Sequence, residues 1–164
     1  MLKSLSIVLC LALAAPSLAA EWKYEGAGVP IAYFDTGAAQ FQFACRGGDL
    51  AMAFWVRKPS KEVAEAKAMS LAINVGEASS GSLAAAGGTV FAQDFPLIHS
   101  DGSSILVRGP VARQWAGIAQ RAADLIRVGF VRQKSQGGLE VFDGHAFGAR
   151  GSNAAIAKVL RQCG

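Results

Sequence analysis

The sequence predicts an α+β domain, built mainly from antiparallel β-sheet in a sandwich-like or partly open barrel arrangement, with two packed helices, one of them C-terminal. Three observations lead to this fold class. Apolar and polar residues alternate with a period of two through most of the chain, which is the pattern of half-buried strands. Turn residues recur every eight to twelve positions. Two segments instead place their apolar residues at helical spacing.

The chain opens on the features of a Sec-type secretory signal peptide, which we assign to residues 1–20. Lys3 precedes an apolar run that ends before Pro16, and small residues follow it. The run is shorter than the roughly 20 residues that cross a bilayer. We therefore expect no transmembrane segment, a mature domain at residues 21–164, and a periplasmic or secreted location. Cys10 lies in the middle of the apolar run, which favours removal of the leader over a lipoprotein.

Removal of the leader changes both the charge and the cysteine count. The formal charge falls from +4 to +3 because Lys3 is lost. A charge this small requires no anionic partner and argues against nucleic-acid binding. Three cysteines become two, Cys45 and Cys163, in an oxidising compartment where disulfides persist. We predict a Cys45–Cys163 disulfide, because a reactive thiol would need a nearby base and neither cysteine has one in sequence.

The N-terminal half of the mature chain reads as strands with one clear hairpin. Segment 31–34 forms a short strand, and 41–56 forms two alternating strands around the turn sequence RGGD, which predicts a β-hairpin. The charged segment 60–67 is an exposed connection with at most one helical turn. Segment 68–75 alternates again and predicts a strand. Segment 76–88, rich in small residues, predicts a loop.

The C-terminal half begins with two further strands, 89–95 and 104–108, joined by a connection with a DG turn signal. From Pro110, which suits a first helical position, the apolar spacing predicts an amphipathic helix lying on a sheet. Its predicted buried stripe is Val111, Trp115, Ile118, Ala122 and Leu125. Segment 127–150 alternates and contains two turn signals, QGG and DG, so we expect a three-stranded meander there.

The chain ends in a predicted helix that carries Cys163 on its buried face. Ser152 or Asn153 can cap this helix by accepting a hydrogen bond from an unpaired amide. The predicted buried stripe is Ile156, Val159, Leu160 and Cys163. Since Cys45 lies on the apolar face of its own strand, we expect both sulfurs to point into one core between helix and sheet.

The motifs that identify common enzyme classes are absent from the sequence. It contains no nucleophile elbow, no S-x-x-K, no H-E-x-x-H, no C-x-x-C, no phosphate loop and no EF-hand loop. We therefore expect no catalytic residues, no cofactor and no metal. His99 and His145 both lie at predicted turns, where a solvated imidazole is the usual state. A hydrolase whose site is assembled around either histidine stays open as an alternative.

Trp55 is the residue that best indicates a binding surface. Strand alternation points its side chain away from Phe54 and Val56 and toward the side of Arg57, which leaves it partly exposed. The other tryptophans are explained by core packing. The candidate binding surface predicted from the sequence is therefore Trp55 with Arg57.

The closing stretch LEVFDGHAFGARGSNAAIAKVLRQC resembles a pattern of strand, F-x-x-x-G, short helix and terminal cysteine. This pattern is typical of small secreted proteobacterial proteins of the invasion-associated locus B and type VI secretion accessory kinds. The likeness covers the last quarter of the chain, and the closely spaced cysteines of the first group are missing. It implies an envelope protein of uncharacterised role and brings no catalytic residues.

The function expected from these observations is a non-enzymatic periplasmic or secreted domain that binds a protein or an envelope polymer. The alternatives are the hydrolase around His99 or His145 and a structural accessory subunit of the envelope. The sequence leaves the oligomeric state open.

Overall fold

A computed structural model describes residues 20–66, 69–75, 90–92, 97–99 and 102–163 of the chain. In this part the strands form two antiparallel sheets and the chain adds three helices, which confirms the α+β class. None of the described helices is long and apolar enough to cross a membrane.

The elements follow one another in an order that mixes the two sheets. The strands are β1 (Lys23–Glu25), β2 (Ile31–Asp35), β3 (Ala39–Arg46), β4 (Asp49–Val56), β5 (Ser70–Val75), β6 (Val90–Ala92), β7 (Leu97–His99), β8 (Gly102–Arg108), β9 (Leu125–Gln133) and β10 (Leu139–Gly148). The helices are α1 (Lys61–Ala64), α2 (Pro110–Arg121) and α3 (Ser152–Leu160). The larger sheet has the order β1-β2-β3-β4-β8-β7, and the smaller has the order β10-β9-β5-β6.

The two sheets share one core that is rich in aromatic rings. The ring of Phe54 on β4 lies 5.1 Å from that of Phe130 on β9, and Phe41 on β3 lies 5.7 Å from Phe147 on β10. All four side chains are at most 1 % exposed. Burial of each such ring stabilises the fold by about 1.5–3 kcal/mol. These contacts make the arrangement sandwich-like, as the sequence predicts.

The β3–β4 hairpin has the predicted register and turn. Phe41 pairs with Phe54, and Arg46 pairs with Asp49 at the end of the ladder. Between them Gly47 and Gly48 have φ values of +62° and +85°. Residues with side chains adopt such angles at a cost, so the paired glycines allow the tight connection.

Helix α2 begins at Pro110 as predicted, but its buried face differs from the predicted stripe. The buried residues are Ala112, Trp115, Ala116 and Ala119. Ile118 is only half-buried, and the helix ends at Arg121, so that Leu125 already belongs to β9. The helix presents mainly alanines to the core because small side chains allow a close approach to the sheet.

The predicted three-stranded meander is wrong, because segment 127–150 forms only two strands, β9 and β10. The second DG signal produces a β-bulge between Phe142 and His145 and no chain reversal. Asp143 has φ +44° there, and its Oδ2 accepts a hydrogen bond from the amide of Ser60 at 2.6 Å. The same backbone preference of Asp-Gly serves turns and bulges, and the sequence does not separate them.

Helix α3 has the predicted position but another start. Its N-cap is Gly151, with φ +80° and no side-chain cap. Ser152 is buried, and its hydroxyl donates to the carbonyl of Ala119 in α2 at 2.9 Å. At the other end Cys163 lies at disulfide distance from Cys45, with Cα atoms 5.6 Å apart, in agreement with the predicted pairing.

The sequence did not predict strand β7 at the edge of the larger sheet. Segment 96–103, predicted as a connection, contains strand β7, which pairs with β8 through Leu97 and Ser104. The predicted loop 76–88, residues 1–19 of the predicted leader and the first residue of the DG turn at 101–102 lie outside the described residues.

Candidate binding surface

Trp55 and Arg57 lie on the outer face of the larger sheet, which we define by three rows of side chains that the strand register aligns. The first row is Asp35, Gln40, Trp55 and Ser104. The middle row is Lys23, Tyr33, Gln42, Ala53 and Leu106, and the third row is Glu25, Ile31, Ala44, Ala51 and Arg108. All of these residues except Ala51, which is buried at 9 % exposure, lie outside the hydrophobic core of the described part of the chain. The strands thus present one complete face that the described elements leave uncovered.

An ion pair holds the Trp55 end of the outer face in place. The guanidinium of Arg57 donates from Nη1 to Asp35 Oδ1 at 2.9 Å and from Nη2 to Oδ2 at 2.6 Å. Its Cζ lies 4.6 Å from the centre of the Trp55 ring. The amide of Gly37 donates to Asp35 Oδ1 at 2.7 Å. A two-pronged pair of this kind is more specific in geometry than a single contact.

The electrostatics of this end follow from the same contacts. The hydrogen bonds from Arg57 hold the pKa of Asp35 below its ordinary value, and the carboxylate raises the pKa of Arg57. Both groups are therefore charged at neutral pH, and their charges cancel locally. The pair is 31 % exposed on each side, so that it fixes geometry more than it stabilises the fold.

Neutral polar groups occupy the middle of the outer face. Gln40 Nε2 donates to Gln42 Oε1 at 2.6 Å. The hydroxyl of Tyr33 donates to Glu25 Oε1 at 2.6 Å, and this bond to a carboxylate raises the pKa of the phenol. The side chains are thus held in fixed orientations before any partner arrives, which lowers the entropic cost of binding.

The remaining positions of the outer face are apolar and mostly small. Ile31, Ala44, Ala53 and Leu106 are half-buried, and Ala51 is 9 % exposed. They form a flat floor. The exposed charged residues of these rows, Lys23, Glu25, Asp35 and Arg108, lie around it on β1, at the end of β2 and on β8. An apolar centre with aromatic residues and a charged rim is the usual composition of a protein-binding surface.

The two histidines lie on strands of different sheets, His145 on β10 and His99 on β7. His145 is half-buried on the core side of β10, and its ring centre lies 6.1 Å from that of Phe54. No described residue forms a hydrogen bond or ion pair with its imidazole. Strand β7, which contains His99, belongs to the larger sheet, whereas β10 belongs to the smaller one. Among the described residues no group of three or more histidine, cysteine, aspartate or glutamate side chains could hold a metal ion.

The sequence predicted part of the outer face. Trp55 and Arg57 were identified, and the structure places them in contact. Asp35, Gln40 and Tyr33 were missed. Their signal was the alternation in AYFD and in QFQF, where tyrosine or a polar residue alternates with an apolar one. That alternation indicates one outer face but does not say which strand lies beside Trp55.

Comparison with protein-family models, curated proteins and solved structures gave no match for this chain. The resemblance of its last quarter to small secreted envelope proteins therefore stays a prediction.

Proposed function

We propose that this protein is an exported, non-catalytic binding domain, and that the outer face of its larger sheet holds a protein or another envelope component. The observation that carries the proposal is the arrangement of Trp55, Arg57 and Asp35 beside an uncovered apolar floor. Trp, Tyr and Arg are the residue types that dominate binding energy at protein surfaces.

Two further features support the exported location and the absence of catalysis as parts of the proposal. The leader-like segment 1–20 and the Cys45–Cys163 pair suit an oxidising compartment. Polar side chains of the outer face form hydrogen bonds with each other, as Arg57 does with Asp35. This mutual pairing is typical of a recognition surface, since an activated nucleophile or base must stay free to react.

Site-specific photo-crosslinking in cells of the native host tests the proposed surface. A benzophenone side chain at Gln42 lies at the centre of the outer face, and the matched control at Ala154 lies on the exposed side of α3. We expect a discrete adduct from Gln42 and none from Ala154. Equal labelling at the two positions, or no adduct at Gln42, contradicts the proposal.

A second measurement tests export. N-terminal sequencing of the protein from the envelope fraction should begin at Ala20 or Glu21. Recovery of the full-length chain from the cytoplasm contradicts the predicted leader.

A further inference from the structure

We propose that the partner of the outer face is a second copy of this chain, packed face to face around a two-fold axis that runs along β3. The inference rests on the proposed function, because it names the occupant of the same surface. A two-fold contact uses one patch twice, so that patch must be complementary to itself. The third row meets this requirement in charge and in size, and the middle row meets it in size at Tyr33 and in hydrogen bonding at Gln42.

The charges at the two ends of the third row are complementary under this symmetry. An axis along β3 exchanges β1 with β8 and β2 with β4. Glu25 on β1 of one copy therefore faces Arg108 on β8 of the other, and the symmetry forms this pair twice. Both residues are exposed. Glu25 already accepts a hydrogen bond from Tyr33, and a carboxylate can accept further bonds, so the pair can form at the rim of the interface, where charge mainly decides specificity.

Side-chain sizes are complementary in the same way. The axis places Tyr33 of one copy opposite Ala53 of the other in the middle row. It places Ile31 opposite Ala51 in the third row. Tyr33 and Ile31 on β2 thus each meet an alanine on β4, while Asp35 meets Trp55 in the first row. Two sheets stack about 10 Å apart when large and small side chains interdigitate across the gap in this manner.

The residues of β3 meet their own counterparts at the axis. Ala44 meets Ala44 of the second copy, which allows close approach. Gln42 meets the same glutamine, and an amide both donates and accepts, so that it can pair with itself. Arg46 also meets its counterpart, but it lies at the end of the strand with Asp49 as its cross-strand partner.

The area of the outer face suits a weak and specific dimer. Five strands about 4.8 Å apart and three rows about 7 Å apart cover roughly 500 Å² on each copy, or about 1,000 Å² in total. That total lies at the lower limit of specific protein interfaces. We therefore expect a dimer that dissociates on dilution.

A charge exchange between Glu25 and Arg108 tests the geometry. Within one copy these residues are four strands, about 19 Å, apart, which exceeds the Debye length of about 8 Å at physiological salt. Any coupling between them must therefore act between copies. Sedimentation equilibrium over micromolar to millimolar concentrations is the measurement, on the protein purified in the form that its host produces.

The expected results follow from which charges face one another. The wild type forms a dimer. Arg108→Glu and Glu25→Arg each place like charges in contact twice, and we expect each to dimerise at least about tenfold more weakly. The two variants mixed in equal amounts, and the double variant Glu25→Arg/Arg108→Glu, restore opposite charges and the dimer. Circular dichroism confirms that each variant is folded.

The results that overturn the inference are distinct from those that overturn the proposed function. A wild type that stays monomeric throughout, or a dimer that Arg108→Glu leaves unchanged, refutes the face-to-face dimer. An adduct from Gln42 with another molecule would then still support the proposed function. Failure of the mixed variants to associate, while the single variants are weakened, also refutes the two-fold pairing.

Discussion

The Cys45–Cys163 pair allows the sharpest stability prediction, made with the double variant Cys45→Ala/Cys163→Ala. The bond would close a loop with a sequence separation of 118. In the chain-entropy model a loop of this length stabilises the folded state by about 5 kcal/mol, because it restricts the unfolded chain. Native domains are stable by about 5–15 kcal/mol in total. Loss of the bond should therefore remove a third or more of the stability of the protein.

The folded state itself should change little in this variant. Helix α3 keeps the hydrogen bond from Ser152 to Ala119 at 2.9 Å, and Arg113 Nη2 donates to the carbonyl of residue 163 at 2.7 Å. Its apolar side chains Ile156 and Val159 stay buried. The effect should thus appear in the unfolded state, which becomes more expanded, so that the urea m-value rises as the stability falls.

Urea unfolding of wild type and variants is the assay, with intact mass before and after reduction as a check that the wild type carries the bond. The single variants Cys45→Ala and Cys163→Ala serve as controls, since either one breaks the bond and should lose about as much stability as the double variant. A double variant within about 1 kcal/mol of the wild type would refute the reasoning. So would hydrogen exchange in which α3 alone opens while global stability is unchanged.

Three further predictions follow from single contacts. The pKa of Asp35 is lowered by Arg57, so the pair stabilises the fold above the unfolded-state pKa of about 3.9 and loses this effect as the pH falls through the folded-state pKa. Asp35→Asn should flatten the acid limb of the free energy of unfolding against pH by about 0.2–1 kcal/mol, and an unchanged limb would contradict this. Gly129→Ala should cost about 1–3 kcal/mol because its Cβ would lie 2.9 Å from a side-chain methyl of β10. Gly144→Ala, whose nearest neighbour is 3.6 Å away, is the control, and equal losses would argue against a steric cause. Trp115 is buried with no hydrogen-bond partner for its Nε1 in the described structure, so Trp115→Phe should cost less than about 1.5 kcal/mol. A loss above 3 kcal/mol in thermal unfolding would contradict this expectation.

Self-association gives the proposed binding function a specific form. If a second copy covers the outer face, then Trp55 and Arg57 belong to an assembly contact, as expected of a structural accessory subunit. If the outer face stays free, the same residues are available to another envelope component. The charge-exchange experiment separates these cases by the behaviour of Glu25 and Arg108.

Local patterns in the sequence predicted those features that depend on neighbouring residues. The β3–β4 hairpin, the outward side chain of Trp55 and the start of α2 at Pro110 follow from alternation, glycine chemistry and the fixed φ of proline. Local patterns failed where one backbone preference serves two structures. The Asp143-Gly144 pair predicts a turn but forms a β-bulge. Ser152 is predicted as a helix cap, but its hydroxyl donates a hydrogen bond to Ala119 of α2.

The sequence by itself determined the fold class, the two faces of β3 and β4 and the pairing of Cys45 with Cys163. Only the tertiary structure decided that β4 lies beside β8, although about fifty residues separate them in the chain. Which strands become neighbours depends on contacts between distant segments, and no local periodicity encodes them. That choice of neighbours creates the outer face, because it brings Glu25, Ile31, Ala44, Ala51 and Arg108 into one row. Alternation along each strand decides which side chains point to the outer face. The pairing between strands decides which of them lie side by side.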